Sequence, residues 1–325
     1  MKRLWLIAGL LALAAKAEAA DHIKATVPVL GDTAYAMYLI AADKGYFRDE
    51  DIDAEIVVAG GGVATPALIS GDAQFTGSPG AAIPAILKGA PIKLVLVTQE
   101  HPSYQLWAGD AIKTLADLKG KQVGVITRGD STEAATRKVL QQAGIDPASI
   151  AFSGMSFPQG RATALLTGAL PAAALTFDDV ALVEHSPKVH LLADISTMVS
   201  MVVGGAVTSD KMLTSERPRA VRFLRALIKG FRYARANKNE TIDILLKRSP
   251  NVAREHYAAV YDRVRATMTA DGTVPDAIAQ QAIDENGEVL GIPPDKRRML
   301  GEFVDFSIAR EVNRELDAKG WRPTP

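Results

Sequence analysis

The chain has 325 residues, of which 48% are hydrophobic and 23% are charged, an ordinary globular composition with enough apolar residues for two cores. Lys plus Arg and Asp plus Glu number 37 each, so no basic excess points to nucleic acid or an anionic membrane surface as a partner. The absence of cysteine excludes disulfides, thiol catalysis and cysteine-ligated metals.

Residues 1–19 have the pattern of a secretory signal peptide. Lys2 and Arg3 form a charged start, residues 4–15 are an apolar run too short to span a bilayer, and Ala17 and Ala19 are small residues at a cleavage site. We expect cleavage before Ala20, with an uncleaved anchor as the alternative. Because no cysteine follows, a lipid anchor is excluded, and the sequence predicts a freely soluble periplasmic protein.

The next part of the chain alternates between strand-like and helix-like segments. The apolar patterns predict strands at residues 23–30, 53–59, 73–78 and 92–99. Helices are predicted at residues 33–45, 63–71 and 79–89, each of which ends in glycine. The alternation then restarts near residue 115, with a strand at 122–126 and a helix at 131–144 that Ser131 or Thr132 would cap.

A short phrase occurs twice in the chain. ATALISG, read from Ala64 to Gly71 without Pro66, matches ATALLTG, which runs from Ala162 to Gly168, except for one Ile/Leu and one Ser/Thr pair. Coincidence is one explanation, because these residue types are common here. Both copies end a helix just before a strand, however, which favours two similar α/β units.

From residue 215 onward the strand-like segments disappear. Amphipathic helices follow one another, with apolar residues three or four positions apart. Their basic residues, among them Arg217, Arg219, Arg222 and Arg225, are interpreted as solvated faces. Residues 201–209 precede this segment and are predicted to return the chain to the first unit.

Several segments together resemble a known family. They are AADKGYFRDEDIDAEIV, GGGVATPALISGDAQFTGSPGAA, LADLKGKQVGV, STEAATRKVLQQAGIDPASI and ERPRAVRFLRALIKGFRYARANK. In this order they resemble the substrate-binding proteins of ABC importers for nitrate, alkanesulfonates, taurine and pyrimidine thiamine precursors. The resemblance covers essentially all of the chain after residue 19.

The resemblance implies the fold and the function. The implied fold is α/β, the type II periplasmic binding protein fold: two lobes with doubly wound sheets, joined by two crossover strands, and a helical C-terminal segment. Residues 20–108 and 208–325 would form lobe 1, and residues 109–207 lobe 2. The implied function is capture of a small solute between the lobes and its delivery to a membrane permease and its ATPase by a monomer, without a cofactor.

Ligands of open α/β sheets bind beyond the carboxyl ends of the strands, at helix starts, and this rule selects the candidate residues. Glycines there allow a close backbone approach, hydroxyls and amides can bind an oxygen, and a tyrosine ring can stack on a ligand. The alternatives are glycines that only form a turn, hydroxyls that only cap a helix, and a tyrosine that packs inside lobe 1. The candidate ligand-binding residues are Asp32, Tyr35, Gly61, Gly62, Ser78, Gln99, Thr127, Ser131, Thr132, Arg161 and Asp178.

The charge of the solute stays open in the sequence. Arg161 and Arg128 are the cations of the candidate loops and would suit a carboxylate or sulfonate, which we prefer. Asp32, Asp130 and Asp178 argue equally for an amine, or for ion pairs that close the lobes.

No motif of an enzyme or a metal site occurs in the sequence. The five histidines lack metal-binding spacing, and neither a Gly-x-Ser-x-Gly elbow nor a phosphate-binding glycine loop is present. Two alternatives to transport remain: a ligand sensor, or an enzyme on the same fold. The related pyrimidine synthases are intracellular and use a cysteine-containing motif, so the absence of cysteine counts against that branch.

Overall fold

A computed structural model describes residues 20–155, 159–249 and 252–324, so the predicted signal peptide lies outside the described residues. The strands, in chain order, are β1 Asp21–Val27, β2 Ile52–Val58, β3 Phe75–Thr76, β4 Ile92–Gln99, β5 Tyr104–Gly109, β6 Gln122–Val125, β7 Ala151–Gly154, β8 Ala172–Thr176, β9 Val189–Ala193 and β10 Val203–Ser209.

The strands form two five-stranded sheets with one and the same plan. The first sheet has the order β2-β1-β3-β10-β4 and the second the order β7-β6-β8-β5-β9. In each sheet the parallel neighbours come from one stretch of chain, whereas β10 and β5 run antiparallel to their neighbours. The α/β fold class expected from the resemblance is confirmed.

The two antiparallel strands are those that follow the crossings between the sheets. The chain leaves the first sheet after β4 and enters the second as β5, and it returns to the first as β10. The expected lobe limits at 108/109 and 207/208 fall inside β5 and near the end of β10. Hydrogen bonding assigns residues 104–108 to the second sheet and residues 203–207 to the first.

The α-helices alternate with the strands in both units and then dominate the C-terminal third. They are α1 Ala36–Asp43, α2 Gly61–Ser70, α3 Pro79–Leu87, α4 Ser131–Gln142, α5 Gly160–Leu166, α6 Phe177–Val180, α7 Ile195–Met198, α8 Asp210–Thr214, α9 Arg217–Ala236, α10 Lys238–Arg248, α11 Arg254–Thr267, α12 Asp276–Val289, α13 Leu300–Phe303 and α14 Ser307–Ala318. Among the described residues no helix is long and apolar enough to cross a membrane.

The repeated phrase occupies equivalent helices. α2 leads into β3 and α5 into β8, and these two strands hold the same place in their sheets. Gly71 and Gly168 end the two copies with φ of 89° and 77°, a left-handed conformation that glycine adopts without strain. The repetition therefore belongs to two similar α/β units.

The arginines of α9 do more than cover a solvated face. Arg222 pairs with Asp21 at the start of β1, and Arg225 bridges Glu50 and Glu315. The opposite side of α9 packs its apolar residues on α1 and α14 in the core of the first unit. These ion pairs join the C-terminal helices to the first sheet.

Candidate functional site

A cavity of about 210 Å³ lies at the edge where the parallel strands of both sheets end. Its walls come from the loops after β1, β2, β3 and β4 and the start of β10 in the first sheet, and from the loops after β6 and β8 in the second. Eight of the candidate residues line it, namely Asp32, Tyr35, Gly61, Ser78, Gln99, Thr127, Ser131 and Asp178. The size suits a small solute, because cavities for drug-sized ligands span about 300–1,000 Å³.

The three other candidates lie elsewhere. Gly62 lines neither this cavity nor the second one described below, and a Cβ atom added to it would have no neighbour within 4 Å. Thr132 is fully buried and outside the cavity; its hydroxyl donates to Asp130 at 2.6 Å and accepts from the amide of Ile126 at 3.0 Å. Arg161 lines a second cavity of about 110 Å³.

Arg161 is held in a buried ion pair. Its guanidinium pairs with the carboxylate of Asp179 and donates to the carbonyl oxygen of Met155 at 2.8 Å. The side chains of Arg161 and Asp179 are 6% and 7% exposed, so both charges are largely removed from water. Arg128, the other cation of the candidate loops, is exposed and lines neither cavity.

The start of α4 is closed by a carboxylate of its own loop. The cap is Asp130, not Ser131 or Thr132 as the sequence predicted, because Asp130 precedes the first helical residue with extended backbone. Its carboxylate accepts from the amides of Thr127, Thr132 and Glu133 at 3.0–3.1 Å. These amides are consequently already bonded to an anion.

The starts of α2 and α3 differ from that of α4, because neither Gly60 nor Ser78, their capping residues, makes a side-chain cap bond. A Cβ atom added to Gly61 would lie 2.2 Å from the Cβ of Ala81, so the two starts are in contact. Ser78 is 8% exposed, and its hydroxyl has no hydrogen-bond partner among the described residues. Helix starts attract acceptor oxygens, so this wall can bind one.

Two carboxylates on the wall attract donors or cations, in contrast to the starts of α2 and α3, which attract acceptors. Asp32 and Asp178 line both cavities. Burial raises the pKa of Asp32 to about 6, against the hydrogen bond from the Ala34 amide, which lowers it. Burial, followed by repulsion from Asp32 and Asp179, raises the pKa of Asp178 well above its ordinary value.

Polar groups at the crossings complete the wall. The Gln99 amide donates to the hydroxyls of Ser103 and Thr267, which joins the crossing after β4 to α11. The hydroxyl of Tyr104, the first residue of β5, lies 2.8 Å from the Ser131 hydroxyl. Sequence reasoning missed Ser103 and Tyr104, although the alternating pattern of YQLWAG was a signal for a strand.

A metal centre is not among the features of the described residues, since no group of three or more His, Asp or Glu side chains there could hold an ion. The geometry instead offers hydrogen-bonding helix starts, carboxylates and two tyrosines, Tyr35 and Tyr104, around an enclosed space. That arrangement offers hydrogen-bonding partners to a small molecule.

Comparison with two solved structures defines the fold. A protein from Bordetella bronchiseptica superposes with a TM-score of 0.79 at 21% identity, over 91% of this chain and 98% of that one. The periplasmic aliphatic sulphonate binding protein SsuA from Escherichia coli superposes with a TM-score of 0.69 at 18% identity, over 88% of this chain and 92% of that one. The fold is that of periplasmic binding proteins.

The family follows from the sequence. The model of the family described as NMT1/THI5 like matches residues 32–241, more than half of the chain. A protein of Brucella abortus described as a binding protein is 28% identical over 235 residues, 70% of this chain and 72% of its own length. The chain belongs to the NMT1/THI5-like family.

Proposed function

We propose that this protein is the solute-binding component of an ABC import system, acting in the periplasm as a monomer. Members of this fold include ligand-binding components of ABC-type import systems. The observation that carries the proposal is the 210 Å³ cavity, which is walled by loops of both sheets. A solute there contacts both units at once, undergoes no reaction, and is released to a membrane permease and its ATPase.

Contacts between the two units supply the mechanism. The Thr33 hydroxyl, after β1, donates to Asp178, after β8, at 3.3 Å. Lys138 of α4 pairs with Glu285 of α12 at 2.8 Å, and Arg263 of α11 pairs with Glu184 at 2.7 Å. A solute that bridges the same units favours the arrangement in which these contacts form, and the permease would recognise that arrangement.

The starts of α2 and α3 are the proposed position for an acceptor group of the solute. A sulfonate, carboxylate or carbonyl oxygen there would accept from the Ser78 hydroxyl and from backbone amides. Arg161 is not proposed to bind this acceptor group, because Asp179 already neutralises the charge of Arg161.

The test is a melting-temperature screen of purified residues 20–325 against sulfonates, carboxylates, amines, inorganic anions and heterocycles. A solute at 100 times its Kd stabilises by about 2.7 kcal/mol. That raises Tm by several degrees, because 1 kcal/mol moves Tm by about 2–4 °C in proteins of comparable size. A flat screen, with no small molecule released on denaturation, would contradict solute binding. Loss of solute uptake in cells that lack this chain would separate transport from sensing.

A further inference from the structure

The charged groups on the larger cavity are all of one sign. Asp32, Asp130 and Asp178 line it, and no Lys, Arg or His is among its described lining residues. Asp130 is engaged by the amides of its own loop, which leaves Asp32 and Asp178, the two carboxylates that line both cavities. The electrostatic character of this part of the wall is therefore set by two carboxylates.

Neither carboxylate has a strong cationic partner among the described residues. Asp32 accepts from the Ala34 amide at 2.8 Å, and Asp178 accepts from the Thr33 hydroxyl at 3.3 Å. The nearest candidate cation of Asp178 is His256, with Nε2 3.9 Å away. Burial lowers the pKa of His256, which keeps the imidazole neutral at pH 7, and Arg161 is bonded to Asp179.

Two largely buried carboxylates that no cation contacts closely carry an unfavourable desolvation free energy. The raised pKa of both groups expresses this cost, since proton binding relieves it. A positively charged group in the cavity relieves it as well, and does so without a proton. Sites with such an arrangement are often functional.

We propose that the solute carries a positively charged nitrogen that binds at Asp32 and Asp178, while its acceptor group binds at Ser78 and the starts of α2 and α3. This inference rests on the proposed solute-binding function and narrows the solute to a small organic amine with an acceptor group. The distribution of charge on the cavity wall carries it: helix starts without side-chain caps on the larger cavity, and two carboxylates without a bonded cation where the two cavities share lining residues.

Pairs of probes that differ only at nitrogen test the inference by isothermal titration calorimetry at pH 7.5. The pairs are β-alanine and 3-hydroxypropionate, taurine and isethionate, and benzylamine and benzyl alcohol. We expect at least one amine to bind, and its hydroxyl counterpart to bind at least tenfold more weakly. Asp178→Asn and Asp32→Asn should each lower the affinity for that amine at least tenfold, because each removes one carboxylate charge.

Asp194→Asn is the matched control, because Asp194 caps α7 as Asp32 caps its own turn, yet lines neither cavity. The affinity of Asp194→Asn for the amine should stay within twofold of wild type. Circular dichroism should show that all variants fold. Equal binding of both members of a pair, no binding of any amine, or unchanged affinity of both Asp variants would overturn the inference. Solute binding itself fails only if the wider melting-temperature screen is also flat.

Discussion

The starts of α2 and α3 and the start of α4 are the same kind of structure with opposite electrostatic outcomes. Residues at all three starts line the cavity, but Asp130 bonds the amides of α4, whereas Gly60 and Ser78 leave those of α2 and α3 uncapped by side chains. The dipole of a helix favours an anion at its start in each case. An internal carboxylate fills that place at α4, so an acceptor group of a solute is directed to α2 and α3.

The same contrast separates two parts of the cavity wall. Ser78 and Gly61 line only the larger of the two cavities and suit an acceptor, whereas Asp32 and Asp178 line both cavities and suit a donor or a cation. Arg161, which the sequence suggested as an anion ligand, lines the smaller cavity but is bound to Asp179. Substitutions in the two parts should therefore have different effects on stability and on binding.

The largest effect is expected from Arg161→Ala. Removal of one partner of a buried ion pair leaves Asp179 uncompensated and lowers the free energy of unfolding by about 3–5 kcal/mol. Urea denaturation measures this loss, and the double variant Arg161→Met/Asp179→Leu should recover most of it. A single variant as stable as wild type that bound an anionic probe tenfold more weakly would instead make Arg161 a ligand.

Gly61→Ala should disrupt the contact between the starts of α2 and α3. The added Cβ would lie 2.2 Å from the Cβ of Ala81, which cannot rotate away, so we expect a loss of about 1–3 kcal/mol and weaker solute binding. Gly62→Ala is the control, because its Cβ meets nothing within 4 Å and alanine favours a helix. Equal melting temperatures for both variants would contradict the close contact.

Asp32→Asn should change how stability depends on pH. The pKa of Asp32 is about 6 in the folded state against 3.8 when unperturbed, so its protonated form contributes stability below pH 3.8. That contribution is lost as pH rises through 6. Asn can still cap the turn. Without solute, the free energy of unfolding of the variant should therefore exceed that of wild type by about 1–2 kcal/mol at pH 7.5 but not at pH 4.

The groups that face Asp32 and enter this pH dependence are Asp178, Asp179 and Arg161. Asp178 is present in both proteins, so its own contribution largely cancels, and the difference in stability between variant and wild type should grow from pH 4 to about pH 6 and then level off. Melting curves over this range measure it. A variant that stays less stable than wild type at every pH would show that the carboxylate contributes more as a cap than it loses by burial.

The smallest effect on stability is expected from Ser78→Ala. Its hydroxyl makes no hydrogen bond to the described residues, so its removal should shift the free energy of unfolding by less than about 0.5 kcal/mol. Binding of a solute with an acceptor group should weaken about tenfold. Ser131→Ala, which removes the bond to Tyr104, is the comparison, and the ratio of the two affinities by calorimetry distinguishes a ligand contact from a structural one.

Local pattern alone determined the alternation of strands and helices, the helical C-terminal segment and the pairing of two similar units. Ile92–Gln99 is predicted and observed with identical limits, because a strand buried on both faces is a continuous apolar run bounded by polar residues. The repeated phrase predicted equivalent helices because it encodes the same local events, a helix and its closing glycine. The general rule that ligands bind beyond strand ends selected eight residues that line the cavity.

Only the tertiary structure decided which partners these residues have. Tyr104–Gly109 belongs to the second sheet because β8 and β9, far along the chain, flank it, and no local signal contains that pairing. Likewise the sequence presents Arg161 as a free cation and Asp32 as one acid among many. Their charges are set by Asp179 in one case and by burial beside Asp178 in the other, because ion pairing and desolvation depend on distances in space rather than on spacing in sequence.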